Sequence, residues 1–366
     1  MKAPQCMLLL VLTAPVFAGA DCLPPAHHET QPAFETLDNL SERLYDGNGS
    51  WGHHQTGYRM ALRDSAWRAD VYGALAPVSA RYRQRADEAA NYLVHAQQEG
   101  GSGVFGLPAD GNHPEFGSRI RQIKRRCPDC IRNAWVVTLP APHTAELYYD
   151  HGFALGALAR AHMRSGNPEW LAAIRRGADW ALGKPVTDNI NYLSTLSKGL
   201  SLASLATGDQ RYVEQAILLH QRHILPRLTP QGEARDTHNA RLEYHAFIVS
   251  GLATLRQALP AGHAFSPTLD HALSAATARL TQRTLQETAE NDDTWPGAAL
   301  LAWHDLASLR PLTTHEQQAL NRTLTLASRQ ASIAMSSPQV FHRQKSAYVN
   351  FSLGYFIQAP LGCTPP

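Results

Sequence analysis

Excess of any kind is scarce in this 366-residue chain. The formal net charge is +2, which removes the electrostatic case for a nucleic-acid or membrane-surface partner. Strand signal is almost absent after about residue 35, so no βαβ pattern exists to support a thioredoxin-like or dinucleotide-binding fold. No motif for a nucleotide, flavin or haem occurs, and no His/Cys spacing makes a metal site, so no cofactor and no metal is expected. Cysteines number only five. What remains is ordinary for a globular protein, 44% hydrophobic and 17% charged, with a length that allows one large domain and a sizeable core.

The N-terminus reads as a targeting segment. Lys2, an apolar run from Met7 to Phe17 and the small residues Ala18-Gly19-Ala20 match a secretory signal peptide over 1–20, and the run is too short for a spanning helix. The expectation is a periplasmic or secreted protein without a membrane span, a monomer with a single domain over 21–366. Export fits the cysteines. Cys6 leaves with the signal, and Cys22, Cys127, Cys130 and Cys363 remain, an even count suited to disulfides in an oxidising compartment. The pairing expected is Cys127–Cys130 locally and Cys22–Cys363 across the ends.

Helical periodicity covers most of the rest. The segments read at about 36–46, 56–79, 84–98, 145–164, 168–182, 190–206, 209–226, 239–258, 266–288, 296–309, 314–335 and 344–357, about twelve helices in all. They come in pairs. ARAHMRSGNPEWLAAIRRGADWAL and LASLATGDQRYVEQAILLHQ share one grammar: a Gly turn (Gly166 or Gly208), an Asn or Asp cap, then Trp170 or Tyr212 early in the next helix. Recurrence at a period of roughly 40 residues marks an array of helical hairpins. One member of each pair is rich in small residues and apolar nearly all round; its partner is amphipathic. The first belongs inside, the second outside. Six such pairs predict an all-α (α/α)6 toroid with inner and outer rings, an open solenoid being the alternative. A long irregular stretch at about 99–144 is expected to fold over one mouth of the ring, since loops of this length are usually functional. Arg119, Arg121, Lys124, Arg125 and Arg126 make it basic, either as a solvated loop or as a contact for an anionic ligand.

In a toroid, polar groups at the starts of inner helices line one cleft. The candidates are Tyr148, Tyr149, Asp150 and His151; Asn189, Asn191 and Tyr192; His238, Arg241, Tyr244 and His245; Asp292, Asp293 and Trp295; and Lys345, Tyr348 and Asn350, with Trp51, His53 and His54 from the first pair. Within DTHNARLEYHAF, residues 236–247, a helix at 100° per residue puts His238, Arg241, Tyr244 and His245 inside an arc of about 120°, while Asn239 points elsewhere and serves as a cap. The competing reading makes Arg241 a partner of Glu243 and Tyr244 a core aromatic with a satisfied hydroxyl. Arg, Asn, Tyr and His together suit β-elimination on a uronic-acid polymer. Arg and Asn neutralise the carboxylate so that the neighbouring C–H becomes acidic. His or Tyr takes that proton, and Tyr returns one to the leaving oxygen.

The hairpin grammar resembles the six-hairpin toroid superfamily of polysaccharide lyases and glycosidases over most of the mature chain. Two places are similar to alginate-lyase-like (α/α) toroid enzymes: Asn191 in NINYLSTLSKGL, and Arg241, Leu242, Tyr244 and His245 in NARLEYHAF. The resemblance implies Asn191 and Arg241 as carboxylate neutralisers and Tyr244 as acid or base. Where that family carries a histidine after the asparagine, this chain has Tyr192, so the base falls to His238 or His151. Tyr149, Asp150, Tyr192, His245, Trp295 and Tyr348 are expected to bind substrate, an acidic polysaccharide or oligosaccharide. Two alternatives stand beside the lyase. A glycoside hydrolase similar to unsaturated-glucuronyl hydrolases would use Asp150 with Asp292 or Asp293; a binding toroid without catalysis would need only the aromatics.

Overall fold

The computed structural model of the protein describes residues 30–51, 61–101, 103–112, 117–139, 147–286, 295–336 and 351–357. Alternate helices differ in how much of their circumference is covered. Helices α5 (Leu147–Ser165), α7 (Ile190–Thr207) and α9 (Leu242–Ala258) are buried on nearly every face, whereas α6 (Pro168–Ala181) buries one stripe, Trp170, Ala173, Ile174, Gly177, Ala178 and Ala181, at the spacing of a single helix face. The all-round apolar helices form an inner ring. Starting at α2 (Ala61–Leu75), contact passes to α5, α7, α9, α11 (Trp295–Leu309), a 3-10 turn at Phe351–Phe356, and back to α2. The ring is therefore closed within the described residues. Outside it lie α1 (Thr30–Glu42), α3 (Ala80–Gly100), α6, α8 (Gln210–Leu219), α10 (Ser266–Gln286) and α12 (Thr314–Ser336).

The turns follow the chemistry expected of them. Gly166 and Gly208 take φ of 70° and 75°, and the Asn167 and Asp209 side chains accept from the amides of Glu169 and Arg211 at 2.9 and 3.0 Å. Small residues set the inner spacing. A Cβ on Gly152 of α5 would collide with the Thr195 backbone of α7, and one on Gly251 of α9 with the Ser194 backbone, so these helices touch main chain to main chain.

The far half of the ring axis is ionic. Asp305 of α11 is fully buried. It accepts from Lys198 Nζ at 2.6 Å and from Ser250 Oγ at 2.5 Å on one oxygen, and from Arg160 Nη2 at 2.6 Å on the other. Arg160 also reaches Asp70 at 2.6 Å. Five inner helices thus share one charge network. Burial alone would raise the Asp305 carboxyl, but the Lys198 ammonium and the Arg160 guanidinium hold it well below the usual carboxylate range.

Two expectations are corrected. The first helix runs over Thr30–Glu42 rather than 36–46, and the second ends at Leu75 rather than 79. The stretch at 99–144 is not structureless. It holds α4 (Gly117–Arg126) and a small antiparallel sheet, β1 (Leu107–Pro108), β2 (Ile131–Arg132) and β3 (Trp135–Val136), in the order β1-β3-β2. Ile120 and Ile123 of α4 join Val104, Val136, Val137 and Leu139 in a second small core that reaches Leu147 at the head of α5. Cys127 and Cys130 lie at disulfide geometry after α4, Cα atoms 5.3 Å apart. Cys22 and Cys363 fall outside the described residues.

Candidate functional site

Side chains from the starts of four inner helices meet on the ring axis. Arg63, on the first turn of α2, embraces the Asp150 carboxylate of α5: Nε donates to one oxygen and Nη2 to the other at 3.1 Å. The pair is bidentate, the stronger form of such a contact. The carboxylate is 3% exposed and Arg63 16%, so the arginine faces the opening and the aspartate lies behind it. The guanidinium rests 4.3 Å from the centre of the Tyr149 ring, which meets Tyr192 of α7 at 5.8 Å and Phe247 of α9 at 5.5 Å. Below them Trp67, Phe153 and Phe247 form an aromatic floor, with centroids 4.5 to 6.3 Å apart. A cavity with room for about one water separates the floor from Lys198 and Asp70 of the ionic network.

The second wall comes from α9 and the turn before it. Helix α9 starts at Leu242, with Arg241 at the cap position. The His238 ring stacks on Tyr244 at 4.7 Å, tilted by 34°, and the Arg241 guanidinium lies 5.8 Å from the same ring. His238 and Arg241 are exposed and Tyr244 is half-buried, and Tyr244 lies near enough to Arg63 and Tyr192 for their charges to act on it, so the turn borders the cleft. Their protonation differs in a useful way. Burial, and then the Arg241 charge, lower His238 from its ordinary value. Burial, and then Glu243, raise Tyr244, while Arg241 and Arg63 pull it back. Near neutrality the imidazole is therefore a proton acceptor and the phenol a proton donor.

The other predicted residues divide. Asn191 is fully buried; its Nδ2 and its own backbone N–H donate to Asn239 Oδ1 at 2.9 and 3.0 Å. Asn239 in turn donates through Nδ2 to both oxygens of Asp236 at 3.0 and 3.1 Å. Asn191 is thus placed to hold the 236–241 turn against α7 and does not reach the cleft. Asn239 does more than cap a helix: it is the hinge of this clamp. Asn189 Nδ2 stands 3.5 Å from His238 Nε2. Tyr149 is buried beneath Arg63, and Tyr192 is half-buried beside it.

His151 and His245 lie away from the cleft. Both are fully buried and bind the outer ring, His151 Nε2 to Gly177 O and His245 Nε2 to Ala276 O, each at 2.9 Å. The Phe105 N–H donates to His151 Nδ1 at 3.3 Å. One helical phase from His238 to His245 had put His245 on the cleft face, but the helix begins only at Leu242, and His245 turns outward. Trp51 is likewise core, packed on Tyr45 and under Arg68. Trp295 opens α11; Tyr348, Asp292, Asp293, Lys345, Asn350, His53 and His54 lie outside the described residues.

The buried histidines carry a stability prediction. Burial pushes His151 and His220 down to about 3 and His245 to about 4. Folded-state values below the unfolded 6.5 mean that the unfolded chain binds the extra protons. This stability is complete above pH 6.5 and is lost as pH falls through the folded-state values of about 3 to 4. Each histidine contributes up to about 1.4 kcal/mol per pH unit, the three together roughly 4 kcal/mol per pH unit. Urea unfolding at pH 7.5, 6.0 and 5.0 measures it; equal stability at pH 7.5 and 5.0 contradicts the assignment.

The architecture has counterparts. Two structures of an unsaturated glucuronyl hydrolase from Streptococcus agalactiae align over 90% of this chain and 91% of theirs, at TM-scores of 0.55 and 0.54 and identities of 10% and 11%; one of them is in complex with dGlcA-GalNAc6S. Cellobiose 2-epimerase from Spirochaeta thermophila aligns over 89% of this chain and 96% of its own, at a TM-score of 0.52 and 12% identity. The fold is an (α/α)6 toroid. No family model matches the sequence, and no curated protein matches it. Within this toroid Arg63 is the cleft residue that sequence reading missed. It lies near the start of the described part of α2, Ala61–Leu75, and carries no motif that would have marked it in the sequence.

Proposed function

We propose that this toroid is a polysaccharide lyase that cleaves an acidic, uronate-containing chain by β-elimination, in the periplasm or outside the cell. The observation that carries the reading is the stack of His238, Tyr244 and Arg241 bordering the cleft. Arg241, which makes no ion pair among the described residues, neutralises the C6 carboxylate. His238 accepts the C5 proton. The electron pair forms the C4–C5 double bond as the C4–O bond breaks, and the Tyr244 hydroxyl protonates the departing glycosidic oxygen. Arg63 adds positive potential from the opposite wall while it holds Asp150.

Hydrolysis is the second reading. Asp150 is a carboxylate at an inner-helix start, and two of the structural counterparts are unsaturated glucuronyl hydrolases. An inverting or retaining mechanism needs a second carboxylate, which Asp292 or Asp293 would supply.

Incubation with alginate, polyglucuronate, pectate, neutral glucans and an unsaturated uronyl disaccharide separates these readings. The lyase generates ultraviolet absorbance from the polymers. Loss of absorbance from the unsaturated disaccharide, with no gain on polymers, supports hydrolysis at Asp150. Binding without any product supports a non-catalytic carbohydrate-binding toroid.

A further inference from the structure

Helix α4 is a second charged feature, and the chemistry above makes no use of it. Arg119, Arg121, Lys124, Arg125 and Arg126 fall within eight residues and are all exposed. At 1.5 Å per residue they span roughly 10 Å. The helix contains no acidic residue. Among the described residues Lys124, Arg125 and Arg126 form no ion pair. Basic residues in a last turn do favour the helix dipole, but by about 0.3–1 kcal/mol each and only over that turn. That applies to Lys124, Arg125 and Arg126 and leaves Arg119 and Arg121 outside it.

The helix is also anchored. Ile120 and Ile123 enter the second core, the neighbouring Cys127 and Cys130 lie at bonding geometry, and Asn133 after β2 donates to the Glu99 carbonyl at the end of α3 at 2.9 Å. The same core includes Leu147 and packs on Trp180. Leu147 precedes Asp150 by one helical turn, and Trp180 closes the outer helix that runs back to the same mouth. The base of α4 is therefore held by a rigid small core beside the start of α5, the helix that carries Asp150.

We infer that α4 is a surface binding site for the polymer itself: a stretch of acidic polysaccharide outside the cleft lies along the helix and is held by its carboxylate or sulfate groups. Charge complementarity selects the partner, since a neutral glycan has nothing for five cations to bind. The inference rests on the acidic-substrate reading of the cleft. It makes α4 a determinant of affinity for long chains and leaves the chemical step alone.

The test uses the full chain and a Lys124→Gln/Arg125→Gln/Arg126→Gln triple variant. These positions are exposed, so folding is expected to be unchanged, which circular dichroism and the unfolding midpoint check. On a long polyuronate the variant should show a KM raised roughly tenfold with kcat unchanged, the wild-type excess fading at high salt. On a tetrasaccharide the two proteins should be equal. Should the cleft prove inactive on uronates, retention on immobilised polyuronate still reads the site: the variant elutes at clearly lower salt if α4 binds the polymer. Equal KM and equal retention overturn the inference. So does a loss of binding confined to anionic phosphatidylglycerol vesicles, which would make the partner a membrane.

Discussion

Tyr244→Phe is expected to lower kcat by roughly 10²- to 10⁴-fold, the usual contribution of a positioned acid or base. The change removes one hydroxyl and keeps the ring that packs on His238 and under Arg241, so substrate binding and folding should be nearly unaffected. The pH profile distinguishes chemistry from disruption. His238 must be neutral to accept a proton, and burial with the Arg241 charge hold it below its ordinary 6.5. The acid limb of kcat/KM should therefore lie below pH 6.5 and persist in Tyr244→Phe. Tyr244 must be protonated, and its raised value leaves it so across the neutral range. Full activity in Tyr244→Phe, together with inactivity in Asp150→Asn, would remove the lyase mechanism in favour of hydrolysis.

Asp305→Ala should destabilise the protein by about 3–5 kcal/mol, a large share of the 5–15 kcal/mol typical of a folded domain. The size follows from what is left behind. Lys198 and Arg160 would remain buried, their shared carboxylate gone, and Ser250 would lose its acceptor. Burial already pushes Lys198 below its ordinary value against the pull of Asp305; without that pull the ammonium loses its main support. Replacing both charges, as Asp305→Leu with Lys198→Met, should recover much of the loss, because a buried pair is far less costly to remove than to break. Urea unfolding reads both variants, and a change below about 1 kcal/mol in Asp305→Ala would show that the network is hydrated and not a true core.

The ring was legible in the sequence because alternation between all-round apolar and amphipathic helices is a burial pattern, and burial is what a closed ring imposes. Gly166 with Asn167 and Gly208 with Asp209 marked their turns for the same local reason. The cleft was legible only in part. Arg241 and Tyr244 came from a short motif and His238 from the helical arc, and the three side chains lie together. His245 sat on the same projected arc, but phase on a helical wheel has meaning only from the true start of a helix, and the four-residue turn Thr237–Ala240 with the Arg241 cap precedes Leu242. His151 was read as polar and therefore inward; both its ring nitrogens instead bind backbone groups, Gly177 O and the Phe105 N–H. Helix α4 escaped because two isoleucines among cations make a weak apolar stripe, too little to distinguish an anchored helix from a solvated loop. Asp305 and Lys198 gave no signal, since a single charge in an apolar helix names no partner until the ring is closed.

The glycine contacts fix something further. Where α5, α7 and α9 meet backbone to backbone at Gly152 and Gly251, the spacing of the inner helices is set by main-chain atoms. Changing side chains cannot draw these helices closer together. On the proposed polysaccharide reading, a change of substrate therefore has to be made at the rim, in the 236–244 turn, where residues can be exchanged without moving a helix.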